Sequence, residues 1–312
     1  MEKMCVVGSF NIDIMAALDR FPTTGETVSV KTFDLQIGGG KGANQAVALG
    51  KLGADVMMVG KLGDRFYGPE YVEVLKKNGV GCEAVEVVPG AFPGAAFVAV
   101  DGNKDNILFI YPGTNAAVDQ SFIDKNWESM AKSQYFLLQL EIPLETNEYI
   151  VNKLQNSGKV IILDPAPARQ LPEELIRGVS FITPNEVELS MLTGMSVTSN
   201  EEFRQATEKL VAMGAKTVIA KAGKKGVFIA TESEFVHVPG FVVETVDPTA
   251  AGDSFNAGFA LALSEGMNLV DSARFANAVA ALSTTIFGAQ GAMPTRKQVD
   301  HFIKSQSSFF PA

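Results

Sequence analysis

The stretch VDPTAAGDSFNAGFALAL, residues 246–263, carries the densest chemical signal in this chain. Phe255, Phe259 and Leu263 recur at i, i+4 and i+8, which predicts a helix beginning near Gly252. Ala250, Ala251 and Gly252 stand at its N-terminus. The first N–H groups of a helix have no partner inside it and the helix dipole favours negative charge there, so this end is a ready anion site. Three small side chains leave room for a phosphate. Asp253 lies inside the helix start. Two readings stay open on physical grounds: a base beside an anion hole, or a first-turn acid that stabilises the helix. Ordinary helix starts do not need three small residues in succession, which tilts the balance towards the base.

A second candidate is IGGGKGANQA at 37–46, which opens a helix after a β-like run. Consecutive glycines let the backbone approach a ligand closely. Gly38, Gly40 and Ala43 also satisfy a dinucleotide-binding pattern, but the glycines do not follow the first strand, and Asp55 precedes the next strand instead of ending it. No Ser or Thr follows Lys41, so the Walker A pattern fails as well. A plain tight turn packed on a helix is the competing interpretation. A third candidate is TPNEVELSMLTG at 183–194, where Asn185 and Glu188 share one helix face. The pair suits either magnesium-bound water near phosphates or a helix cap with a first-turn acid; taken alone, the cap is the simpler reading.

These residues need elements to hold them. Apolar runs at 5–13, 135–141, 160–165, 180–186 and 217–223 end abruptly in polar residues. Consecutive apolar positions suit strands buried on both faces. Helix-like stretches at 41–52, 67–78, 145–156, 200–213, 253–265 and 268–286 alternate with them. The expected architecture is an α/β, three-layer fold with a mostly parallel central sheet. Ligands in such sheets bind outside the carboxyl ends of the strands, where Asn11, Asp13, Glu141, Asp164, Asn185 and Glu186 fall. Residues 14–37 and 95–111 break the pattern and predict a small antiparallel β lid, the second segment as a hairpin. No linker divides the chain, so one domain over 1–312 is expected.

Composition limits the alternatives. Hydrophobic residues make up 46% and charged residues 20%, as in a globular protein with a sizeable core. Twenty-six basic against 35 acidic side chains give a net charge of −9 with no basic block, which argues against a nucleic-acid partner. No apolar run approaches a membrane span and the N-terminus does not read as a signal peptide. Cys5 and Cys82 lack metal-ligand spacing and suit reduced thiols in a cytoplasmic protein; His237 and His301 stand far apart.

The segments GSFNID (8–13), GGKGANQAVALGKLGA (39–54), GDRFYG (63–68), LQLEIPLE (138–145), DPAPAR (164–169), TPNEVE (183–188), DPTAAGDSFNAG (247–258) and FGAQGAMP (287–294) resemble, in order and spacing, the ribokinase-like (PfkB) carbohydrate kinases over nearly the whole chain. The resemblance implies an ATP-dependent sugar kinase. Within the family, GSFNID with GGKGANQ looks most like the members that phosphorylate D-ribose at its 5-hydroxyl. A kinase for 2-deoxyribose, another sugar or a nucleoside is the alternative; a non-catalytic sugar sensor or a dinucleotide oxidoreductase is less favoured. The resemblance implies sugar contacts from Asn11, Asp13, Gly39, Gly40, Lys41, Asn44 and Glu141, with Asp253 as the base and residues 250–253 as the anion hole. It implies nucleotide contacts from Asn185, Lys221, Gly223, Gly226 and Asn277, and magnesium held through water by Asn185 and Glu188. It further implies a potassium site at Asp247, Thr249, Ser283, Gly288 and Ala292, and a homodimer through the lid. Pro248, where relatives commonly carry Thr, restricts Asp247 to extended conformations and removes an N–H.

Overall fold

The computed structural model describes residues 2–103 and 105–306. Their strands are β1 (Met4–Val7), β2 (Asn11–Ala17), β3 (Thr32–Gly39), β4 (Val56–Gly63), β5 (Val80–Val88), β6 (Gly94–Val100), β7 (Asn106–Tyr111), β8 (Tyr135–Leu138), β9 (Val160–Leu163), β10 (Phe181–Ile182), β11 (Val218–Lys221), β12 (Val227–Ala230) and β13 (Phe235–Val238). The α-helices are α1 (Lys41–Lys51), α2 (Gly68–Lys77), α3 (Gln120–Met130), α4 (Leu144–Leu154), α5 (Glu173–Gly178), α6 (Glu186–Thr193), α7 (Asn200–Ala212), α8 (Ala251–Ser264), α9 (Leu269–Ser283) and α10 (Arg296–Gln306).

The main sheet has the order β13-β12-β11-β10-β9-β8-β1-β4-β5 and is parallel from β5 to β11, with β12 and β13 antiparallel at one edge. Alternation along β1 splits its side chains between two cores. Met4 and Val6 pack with residues of α1, α8 and α9, such as Ala46, Phe259 and Val279. Cys5 and Val7 pack with residues of α3, α4 and α7, such as Phe122, Ile150 and Phe203. Burial on both faces is why these strands read as unbroken apolar runs. The chain builds outward from β1 in both directions, so the crevice beside its carboxyl end is the switch point at which ligands settle in sheets of this kind.

The small sheet has the order β3-β2-β6-β7. Its outer pairs are antiparallel and β6–β7 forms the expected hairpin; Lys104 in the connecting loop lies outside the described residues. Its central pair, β2–β6, is parallel. The reason is topological: β2 and β6 each leave the same end of the main sheet, after β1 and β5, and so start in the same direction. Among the described residues no helix is long and apolar enough to cross a membrane.

Candidate active site

Asp253 is the third residue of α8, one turn from Ala250. That start has no side-chain cap. The Ala251 N–H donates to Pro248 O at 3.2 Å, and Ser254 N–H closes the first turn on Ala250 O at 2.9 Å. The Gly252 and Asp253 N–H groups have no backbone acceptor among the described residues, so two donors face the cleft ahead of the helix. Lys221 Nζ lies 3.4 Å from where a Gly252 side chain would begin, which brings a positive charge against the same end.

The chain reaches this helix through Ala250 at φ 58°, in the left-handed region that costs an L-residue about 1 kcal/mol. Ala250→Gly removes that cost against a small loss of chain entropy. The expected outcome is a Tm raised by about 2 °C or less, with turnover retained. A scan and an initial-rate assay check it; lost turnover would mean that the Ala250 methyl itself contacts the substrate.

The Asp253 carboxylate turns away from solvent and is only 4% exposed. Oδ2 accepts from Asn44 Nδ2 at 3.0 Å and Oδ1 from Gln45 Nε2 at 3.2 Å, both on α1. Burial raises its pKa; Lys41 and the bonds from Asn44 and Gln45 pull it back, Asp164 pushes it up, and the balance lies at about 6. A group there is ionised at neutral pH yet basic enough to take a proton. Burial alone would lower Lys41, but Asp253, Asp164, Glu141 and Glu188 together hold its ammonium well above its ordinary range.

On one side of Asp253 the switch point assembles a polar pocket. Glu141 Oε2 accepts from the Lys41 N–H at 2.8 Å and from Ser9 Oγ. Asn11 Oδ1 accepts from Asn115 Nδ2 at 2.9 Å. Gly40 has φ 88°, and a side chain there would press on Asn11 N and Ser9 O, so only glycine lets β3 turn into α1. Gly39 lies against the Asp13 carboxyl. Burial, then Glu141 and Asp253, push that carboxyl up to about 7.

On the other side opens a cleft of about 540 Å³ whose lining includes Asn185, Glu188, Lys221, Gly223, Gly226 and Asn277. Asn277 Nδ2 donates to Pro239 O at 3.1 Å and fixes the cleft wall. Gly226, at φ 91°, sits too close to the Gly240 backbone for any side chain. Lys221 Nζ pairs with Asp164 Oδ1 at 2.9 Å. Asn185 and Glu188 form a reciprocal capping box at the start of α6: Asn185 Oδ1 accepts from Glu188 N–H at 2.9 Å, and Glu188 Oε2 from Asn185 N–H at 2.7 Å. Burial raises the Glu188 carboxyl while Lys221 opposes it.

A cluster of polar side chains and a cleft thus meet at one buried carboxylate under a helix N-terminus. The pfkB family carbohydrate kinase model matches residues 1–296. The chain belongs to the pfkB family of carbohydrate kinases. It is 41% identical to the ribokinase of Bacillus subtilis (strain 168) over 97% of this chain and all of that one. It is 35% identical to the deoxyribokinase of Salmonella typhi over 96% of this chain and 98% of that one. Among solved structures, Arabidopsis thaliana ribokinase complexed with ribose and ATP superposes with a TM-score of 0.91 at 35% identity, covering 97% of this chain and 99% of that one.

In this pfkB chain a third cluster lies behind the anion-hole candidate. Asp247 Oδ1 accepts from the Thr249 N–H at 2.9 Å and from Thr249 Oγ1 at 2.6 Å, while Oδ2 accepts from the Gly288 N–H at 2.9 Å. Burial pushes the Asp247 carboxyl up, but these bonds outweigh it and hold it low. Residues 247–249 and 288 therefore meet despite Pro248. Val246 and Asp247 N–H both donate to Thr284 O, next to Ser283, and Ala292 closes a short turn onto Ala289.

Several residues of the site carry no functional motif of their own. Gln45 and Gln139 carry the Asp253–Asp164 network, Asn115 braces Asn11, and Gln290 Nε2 donates to Asn44 Oδ1 at 3.2 Å and to Tyr71 OH at 2.9 Å. Gln45 lies within the GGKGANQ run, next to Asn44, and Asp164 stands at the strand end where the sequence places it.

Proposed function

We propose that the chain transfers the γ-phosphoryl group of ATP to the 5-hydroxyl of D-ribose, giving ADP and D-ribose 5-phosphate. The observation that carries this is the Asp253 carboxylate, buried between the polar pocket and the cleft beneath unpaired N–H groups of α8. Asn11, Asp13, Lys41, Asn44 and Glu141, with the backbone of Gly39 and Gly40, bind the sugar hydroxyls. A pocket this rich in fixed hydrogen-bonding groups suits a polyhydroxylated ligand and rejects analogues that leave those groups unpaired. Asp253 takes the hydroxyl proton as the phosphoryl group departs from ADP. The Gly252 and Asp253 N–H groups, beside Ala250 and Ala251, then face the charge on the transferring oxygens, and Lys221 adds its ammonium from the cleft side. Gly223, Gly226, Asn185 and Asn277 shape the nucleotide site.

Magnesium, held through water by Asn185 and Glu188, would neutralise charge on the phosphates. Asn185 and Glu188 already bond to each other, and among the described residues no three acidic, His or Cys side chains converge to hold a metal. Such a donor set fits an ion held through water and substrate phosphates. The ionised Asp247 carboxylate, with Thr249 and Gly288 bonded to it, suits a monovalent activator such as potassium, to which Ser283 and Ala292 would add carbonyl or hydroxyl oxygens. The small sheet closes over the sugar as a lid, and a second copy covers its exposed apolar residues, Phe33, Phe97 and Leu108 among them. Two free cysteines suit a cytoplasmic setting.

A coupled ADP-release assay over pentoses, 2-deoxyribose, hexoses and nucleosides, with and without potassium, tests this. Ribose is expected to give the highest kcat/KM; 2-deoxyribose is the second reading, supported by the deoxyribokinase relative. Absence of turnover on every substrate would sink the kinase reading. The pH dependence has a definite sign. Asp253 works as a base only when ionised, so kcat at saturating substrates falls as pH drops through about 6. A flat kcat between pH 5 and 8 would contradict it.

A further inference from the structure

We propose that Gln45 is a positioning residue that ties the base to the phosphate-facing lysine through one shared amide. Gln45 Nε2 donates to Asp253 Oδ1 at 3.2 Å and to Asp164 Oδ2 at 3.2 Å. The other oxygen of Asp164 accepts from Lys221 Nζ at 2.9 Å. A continuous line, Lys221–Asp164–Gln45–Asp253, therefore runs from the nucleotide cleft to the base and joins β11, the end of β9, α1 and α8.

The direction of the amide is not free. Gln45 Oε1 accepts from Gln139 Nε2 at 2.7 Å, and the backbone carbonyl of Gln139 accepts from Asn147 Nδ2 at 2.8 Å, which anchors that residue's main chain. An amide has one donor end and one acceptor end. With Gln139 holding the acceptor end, the NH₂ must face the two carboxylates. The reversed amide would set oxygen against two carboxylates and donor against donor at Gln139. Gln45 and Gln139 are each 1% exposed, so water offers no substitute. A neutral donor is also the chemistry this position needs. A lysine here would neutralise the base, and an apolar residue would leave two buried acids facing each other unbridged. The neighbouring Asn44 supplies the second donor to Asp253, so consecutive residues of α1 grip both carboxylate oxygens.

This inference rests on Asp253 acting as the base. Besides burial, the ionisable groups that bear on Asp253 are Lys41 on α1, Asp164 after β9, Asp13 on β2 and Tyr71 on α2. The Gln45 bond favours the ionised form. Its loss raises the carboxyl and moves the acid limb of kcat to higher pH.

Gln45→Met keeps the length and removes the donor. At saturating sugar and ATP, kcat at pH 7 is expected to fall about tenfold, the value of one hydrogen bond to a charged group. The acid limb should move up by about one pH unit, with sugar KM little changed because the sugar-facing side chains are intact. Gln139→Met touches neither carboxylate and should shift the limb in the same direction by less; it decides the matter if Gln45→Met does not fold. An equal loss at every pH with an unmoved limb overturns the proposal and leaves Gln45 a core residue. Turnover by the unmodified chain with that unmoved limb overturns this inference alone; no turnover by the unmodified chain on any sugar overturns the base assignment as well.

Discussion

Asp253→Asn is expected to lower kcat by about 10³-fold or more while ATP still binds and the fold is unharmed. Asparagine keeps the shape but has one acceptor oxygen, so it can accept from Asn44 or from Gln45 but not from both, and it cannot take a proton at neutral pH. The stability side has a sign of its own. Folding raises this carboxyl from 3.8 to about 6, chiefly by burial, so the folded chain binds a proton that the unfolded chain releases between those values. Stability from this group therefore falls as pH rises through that window, and at pH 7 the ionised carboxylate costs folding free energy. Asparagine lifts that cost but sets its own NH₂ against one buried amide donor, so the two effects offset and the Tm of the variant at pH 7 should stay close to that of the unmodified chain. Calorimetric titration with ATP, a thermal scan and the ADP-release assay separate the three claims. Near-normal turnover would reject Asp253 as base; lost ATP binding would mean that its carboxylate organises the anion hole instead.

The legible parts of this molecule are those whose signal is local. Runs such as VIILDP and YFLLQLE announce strands buried on both faces, and the structure has β9 and β8 there. The Phe255–Phe259–Leu263 spacing announces α8, and the three small residues before Asp253 announce its unusual start. Asn185 and Glu188 show how far spacing carries. Three residues apart, they have two uses open to them; their side chains bond to each other as a cap, and both also line the cleft. What was not legible is set by contacts distant in sequence. Gln290 meets Asn44 across 246 positions, and Asn115 meets Phe10 across 105. No periodicity marks either residue, because a single amide buried against a site leaves no pattern in its own neighbourhood. The edge strands β12 and β13 lie outside the runs that read as strands. Their antiparallel direction follows from short turns instead of a crossover helix.

Gly39→Ala is expected to raise the sugar KM by about 100-fold or more and to leave the KM for ATP nearly unchanged. A methyl at Gly39 would lie 2.5 Å from Asp13 Cγ, where real side chains keep beyond 3.0 Å. The crowded atoms belong to the end of a side chain, not to backbone, so β2 and β3 can keep their pairing while the Asp13 carboxyl swings away. The substitution thus acts on the pocket and spares the fold. The displaced group is one the pocket cannot replace. Asp13 is mostly buried, its pKa is raised to about 7 by burial and by Glu141 and Asp253, and a carboxyl near that value can accept from a sugar hydroxyl or donate to one. Sugar hydroxyls that lose it are left without that partner. Because the methyl acts through Asp13, adding Gly39→Ala to Asp13→Ala should cost little beyond Asp13→Ala alone, the non-additivity of two changes on one contact. Additive losses, or an unchanged sugar KM in Gly39→Ala, would show that Asp13 does not hold the sugar, and the acceptor site would have to be sought away from the end of β3.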